Sequence, residues 1–168
     1  MKKQTIRIRE GISEFERQVL IKMFKETIGT IVELKFKREE DSIEEGDISI
    51  SFKSLPDSFV GNTKGAKFYY DKDDLTKFYN YQSVRINLRI LEMYKESNHY
   101  YAWLNATLHE VACHALTDED GHMEAPEEGR SRGFLCTLHL STDKLLWSKK
   151  DIKYIKGLLK KKGDKINE

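Results

Sequence analysis

The chain has 168 residues, 39% of them hydrophobic and 34% charged, with a formal net charge of +1 at pH 7. That is ordinary for a soluble globular protein and sufficient for one domain with a proper core. Near-neutral charge gives no global case for nucleic acid or a membrane surface as partner, no apolar run approaches the length of about 20 residues that a transmembrane helix needs, and the basic start Met1-Lys2-Lys3 is not followed by the apolar stretch of a signal peptide. The two cysteines, Cys113 and Cys136, are too few for a disulfide framework and are expected to be reduced in a cytoplasmic protein.

Thr5-Ile6-Arg7-Ile8-Arg9 alternates and predicts a strand that Gly11 breaks. Ser13-Glu14-Phe15-Glu16 has the S-x-x-E form of a capping box, and Phe15, Val19, Leu20, Met23 and Phe24 follow at helical spacing, with Ile28 and Gly29 closing the helix. Val32, Leu34 and Phe36 predict a second strand. Gly46 to Phe52 predicts a third, with Ile48, Ile50 and Phe52 facing one way and Ser49 and Ser51 the other. Leu55-Pro56-Asp57 and Gly61-Asn62-Thr63-Lys64-Gly65 are expected to be loops, and Lys67 to Tyr70 a short strand. Asp71 to Tyr81 carries no clear period. Val84, Ile86, Leu88 and Ile90 alternate as another strand. A long helix is predicted from about Ser97 through Trp103, Leu104, Leu108 and Val111 towards Leu116, another over 127–140 (Phe134, Leu135, Leu138), and a basic amphipathic one over about 148–168 (Ile152, Ile155, Leu158, Leu159). From Lys149 onward eight lysines face three acids, the pattern of a solvated helix face.

The chemistry concentrates in Leu108-His109-Glu110-Val111-Ala112-Cys113-His114-Ala115-Leu116, followed by Gly121-His122. His-Glu opening a helical run, with a second His soon after and a third past a Gly, reads as a metal site with a built-in base. The spacing is unusual. Histidines four apart on an α-helix are offset by about 40° and can share one ion, whereas His109 and His114, five apart, would be offset by roughly 140°. A π-bulge that absorbs one residue would return both imidazoles to one face. Alternatively Cys113, four after His109, supplies the second ligand, or the two histidines bind no metal and one of them is hydrogen-bonded in the core. Asp118, Glu119, Asp120, Glu124, Glu127 and Glu128 form an acidic stretch that is either a solvated loop or a source of one more ligand. Cys136-Thr137-Leu138-His139 has C-x-x-H spacing and, with Cys113 and His114, would make a closed structural zinc site.

Strand, helix, four strands and then a His-Glu helix is the order of the zincin metallopeptidases, and several motifs resemble their matrixin-type branch. Gly46-Asp47-Ile48-Ser49-Ile50-Ser51-Phe52 is similar to its "A-D-I-x-I-x-F" strand and Ile86-Asn87-Leu88 to the short strand before its active-site helix. Leu108 to Val111, His114 to Leu116 and Gly121-His122 resemble its "L-H-E-x-G-H-A-L-G-L-x-H" run. The chain departs from that pattern by the extra residue before His114, by a longer gap to His122, by Thr117 at the position of the turning Gly, and by the lack of a later Met suited to a Met-turn. Glu128 to Leu135 is similar to the "E-x-x-A-N-x-F-A" helix of gluzincin-like peptidases, which would make Glu128 the third ligand. Asp120 is a further choice, since some zincins end their motif with Asp.

The resemblance implies a single α+β, zincin-like domain over 1–168. Its mixed twisted sheet would pack on a long N-terminal helix and an active-site helix, with a helical C-terminal part. It implies Zn2+ held by His109, His114 and His122, Glu110 as general base, and a peptide or protein substrate laid along an exposed strand edge such as Lys67 to Tyr70. Two other functions compete with a zinc-dependent peptidase: a zincin-like module that has lost hydrolysis and only binds, and a nucleic-acid-binding protein with a basic tail and an incidental His cluster.

Overall fold

The computed structural model describes residues 2–56, 59–96, 100–121, 135 and 144–166. Among these the fold is α+β: a mixed five-stranded sheet with four α-helices, one of which runs on into a π-helical turn. The strands are β1 (Lys3–Ile8), β2 (Glu33–Lys37), β3 (Ile48–Lys53), β4 (Gly61–Tyr69) and β5 (Phe78–Asn87), in the spatial order β2-β1-β3-β5-β4. β1 runs parallel to β2 and β3, and β3 parallel to β5. Only the terminal strand β4 is antiparallel, paired with β5.

The register follows from apolar alternation. Ile6 lies opposite Ile48, Ile8 opposite Ile50, Ile50 opposite Val84, and Phe52 opposite Ile86, so one face of three neighbouring strands is continuously apolar. β3 is central, and Ser49 and Ser51 are buried as well, because a strand parallel-paired on both sides is covered on both faces. Arg7 reaches over the serine side to donate to Ser49 Oγ at 3.4 Å.

Helix α1 (Glu14–Glu26) starts where the capping box places it. Ser13 Oγ accepts from the Glu16 N–H and the Glu16 carboxylate accepts from the Ser13 N–H. Leu20, Met23 and Phe24 enter the core, but Phe15 is 76% exposed and Arg17 is buried instead. The guanidinium of Arg17 donates to the carbonyls of Ile8 and Lys37, tying α1 to β1 and β2, which is why a charged residue holds an inward position. The buried Lys37–Asp47 pair, 3.0 Å apart, links the end of β2 to the start of β3.

Two expected elements differ. The span Gly61 to Gly65 is the first half of β4 rather than a loop. A Cβ on Gly61 would meet the Arg85 carbonyl and Ile86 Cδ1, both at 2.9 Å, so this glycine permits a close approach and does not mark a turn. The alternation through Leu88 and Ile90 is interrupted: β5 ends at Asn87 and α2 (Leu88–Glu96) begins. Asn87 makes the switch. Its side-chain N–H groups donate to the carbonyls of Leu55, Pro56 and Phe59, and its Oδ1 accepts from the Arg89 N–H at the first turn of α2.

Helix α3 (Tyr100–Leu108) leads without a break into a π-helical turn over His109–Ala115. Both belong to the same core as the sheet and α1, through Trp103, Leu104, Leu108, Val111, Ala112, Ala115 and Leu116. Fully burying a Leu or Val is worth about 1.5–3 kcal/mol, so tertiary packing is strong enough to hold a backbone form that helix propensity alone does not favour. Helix α4 (Lys149–Ile166) opens with Ser148 as N-cap and packs Ile155 into the core. Its basic face is partly structural: half-buried Lys162 donates to the Leu116 carbonyl, just past the π turn, at 3.3 Å. The helix predicted over 127–140 lies outside the described residues except for Leu135, which is fully buried. Among the described residues no helix is long and apolar enough to cross a membrane.

Candidate metal centre

The extra residue between Glu110 and His114 is absorbed by the π turn. The Leu116 N–H donates to the Val111 carbonyl, five residues back, at 2.8 Å, and a helix closed by such bonds brings positions five apart onto one face. His109 and His114 therefore converge. Their Nε2 atoms are 3.1 Å apart and the ring planes meet at 77°. Ligand atoms of His109, Glu110 and His114 all lie within 4.8 Å of one another, a group that could hold a metal ion.

The outer nitrogens decide what the inner ones can do. His109 Nδ1 donates to the Leu135 carbonyl at 2.6 Å, and His114 Nδ1 donates to the Glu119 carbonyl at 2.8 Å. A carbonyl oxygen only accepts, so each Nδ1 carries its hydrogen and, in the neutral ring, each Nε2 presents a lone pair. Two lone pairs facing each other at 3.1 Å repel unless a cation, a proton or a metal ion, lies between them. Two nitrogens on a tetrahedral zinc would be about 3.3–3.4 Å apart, given Zn–N near 2.0–2.1 Å. The pair is within a few tenths of an ångström of that spacing, and the carbonyl acceptors behind it are the outer support that metal-binding imidazoles use.

Glu110 stands beside this pair under a different constraint. Its Oε2 accepts from Thr63 Oγ1 of the terminal strand β4 at 2.6 Å. Burial pushes the Glu110 carboxyl above its usual range, opposed by the Thr63 hydrogen bond and by the nearby His114. Gly61 makes room for it, since a Cβ there would sit 3.4 Å from Glu110 Cγ. A carboxyl with a raised pKa next to two convergent imidazoles has the character of a proton acceptor poised nearer neutrality.

His109, Glu110 and His114 are thus brought together. His122 and Glu128 lie outside the described residues. Asp120 is described, exposed, and not a member of the group. Cys113 corrects an expectation: it is disulfide-bonded rather than reduced, so its sulfur is not a thiolate ligand, and neither the H-E-x-x-C register nor a Cys113-containing zinc site is open to it. The second cysteine, Cys136, with the rest of its C-x-x-H run, lies outside the described residues. Thr117, at the position of the turning glycine in the zincin pattern, lies in the turn that follows the π-helical segment, its hydroxyl donating to the Cys113 carbonyl at 2.9 Å, and Asp118 in the same turn has φ 55°.

Sequence reasoning does not reach Thr63, the carbonyls of Leu135 and Glu119, or Asp151. Of these only Asp151 carries a local signal, as the third residue after Ser148 in an S-x-x-D cap. No family model matches the chain, and neither a curated protein nor a solved structure does.

Proposed function

We propose that the chain is a zinc-dependent peptidase of zincin type, with His109 and His114 as two metal ligands and Glu110 as general base. The observation that carries this reading is the Nε2 pair at 3.1 Å with both Nδ1 atoms engaged behind it. Imidazoles suit zinc as they do copper, iron and nickel, and the order β1, α1, β2 to β5 ahead of the His-Glu turn supports the reading, with α2 as an added helix before it. His122, or Glu128, is the remaining candidate for a third ligand.

Zinc held there would supply Lewis acidity towards a peptide carbonyl and bring the pKa of a ligated water towards ~7. Glu110 would accept a proton from that water and pass it to the leaving amine. Thr63 fixes which way that carboxylate points. β4, the terminal strand of the sheet, offers its outer edge to an extended peptide, with Thr63 putting the edge within hydrogen-bond reach of Glu110. The disulfide at Cys113 weighs for an oxidising compartment over the cytoplasm.

The Thr63–Glu110 bond also favours a second reading, a zincin-like module that holds metal and binds peptide without hydrolysis, because a carboxylate so engaged is less free to take a proton. One experiment separates the two. Zinc-loaded wild type should cleave members of a mixed peptide library that Glu110→Gln leaves whole. Intact library with both proteins, and zinc bound to both, would instead support the binding module.

A further inference from the structure

Asp151 lies far from Glu110 in sequence and is fully buried, and its two carboxylate oxygens do different things. Oδ2 accepts from the Ser148 N–H at 3.1 Å and from Ser148 Oγ at 2.7 Å, while the Asp151 N–H donates back to Ser148 Oγ at 3.1 Å. That is the reciprocal cap of α4, and it occupies one oxygen. Oδ1 reaches back along the chain to accept from the Leu135 N–H at 2.9 Å, and the carbonyl of that same residue accepts from His109 Nδ1 at 2.6 Å. Leu135 itself has no exposed surface, so water does not compete for either backbone group.

We propose that Asp151 is a positioning residue for the metal centre, acting on His109 through the backbone of Leu135. This rests on the metal reading above. Helix capping explains Oδ2 alone. Oδ1 anchors the Leu135 backbone by its N–H, and the carbonyl of the same residue accepts from His109 Nδ1 and sets the tautomer and ring plane of that imidazole. The base of α4 is anchored independently: Asn105 on α3 donates to the Lys144 carbonyl at 2.7 Å and accepts from the Leu146 N–H at 2.8 Å.

The test measures zinc affinity, by competition with a chromogenic chelator, and melting temperature of the zinc-free form, on the full chain. Asp151→Ala removes the acceptor and should weaken zinc binding about 10–100-fold, the range for loss of a supporting partner behind a metal ligand. Ser148→Ala breaks the cap and spares Oδ1, so it should lower the melting temperature while leaving zinc affinity within about twofold. Equal zinc affinity in Asp151→Ala and wild type overturns the proposal, as does a loss in Ser148→Ala as large as that in Asp151→Ala. Should Asp151→Ala fail to fold, hydrogen exchange of the wild type decides. The Leu135 amide should gain protection on zinc loading, and indifference to zinc overturns the role. A wild type that takes up no zinc overturns the metal reading and this role with it, whereas zinc uptake with an unaffected variant sinks only the role.

Discussion

Thr63 Oγ1 donates to Glu110 Oε2 at 2.6 Å, joining the terminal strand of the sheet to the π turn that carries both imidazoles. The candidate base is thereby held from the side on which β4 lies, while the histidines are held from behind by the carbonyls of Leu135 and Glu119. Function-bearing side chains on one helical turn are thus oriented by separate parts of the chain.

The raised pKa of Glu110 gives a signed prediction for stability in the zinc-free protein. Its folded pKa lies above the unfolded value of 4.5, so ionising it costs more in the fold than in the unfolded chain. Well below pH 4.5 the carboxyl is protonated in both states and costs nothing. As pH rises through 4.5 towards the folded value, wild type loses stability, and beyond that value the loss stays constant. Glu110→Gln has no such charge to bury. Urea midpoints measured in chelator should be alike for the two proteins near pH 4 and higher for the variant at pH 7.5. Thr63→Val, which removes the donor that favours the charged form, should lower the midpoint at pH 7.5 below wild type.

Gly61 is required by contact and not by backbone conformation. Adding a Cβ places it 2.9 Å from the Arg85 carbonyl and from Ile86 Cδ1. Gly61→Ala should therefore destabilise by about 1–3 kcal/mol, the usual cost of forcing an extra carbon into packed structure. Chemical denaturation of the two proteins checks the loss.

Cys113 sits inside the π turn and is disulfide-bonded. Loss of a native disulfide from a domain of this kind costs about 2–4 kcal/mol. Cys113→Ser should lower the unfolding free energy by that amount, and reductant should lower wild type to the same level without affecting the variant. A wild type indifferent to reductant would leave the thiols free and restore the expectation drawn from cysteine count.

What could be read from the chain alone was what local periodicity and local capping determine. Ser13 and Glu16 are three residues apart and bond to each other, so the start of α1 was legible. Ile48, Ile50 and Phe52 alternate because a strand has period two, and they lie together in the core. The irregular turn at His109 was legible too, since histidines five apart share a face only if the α-helix is interrupted, and the π turn supplies that interruption. Long-range contacts were not. Gly61 reads as a loop residue until the Arg85 carbonyl and Ile86 are seen to need its missing side chain. The strand period through Leu88 and Ile90 gave no hint that Asn87 would gather three carbonyls of the preceding loop and start a helix. The links His109–Leu135 and Leu135–Asp151 span 26 and 16 residues, and no short window contains them.

Zinc titration of chelator-stripped protein decides whether His109 and His114 share a metal ion. Followed by calorimetry, wild type should take up about one zinc per chain. His109→Ala and His114→Ala should each abolish that uptake while remaining folded. Zinc uptake that survives His109→Ala unchanged, or a wild type that takes up none, would mean that the two imidazoles share no metal ion.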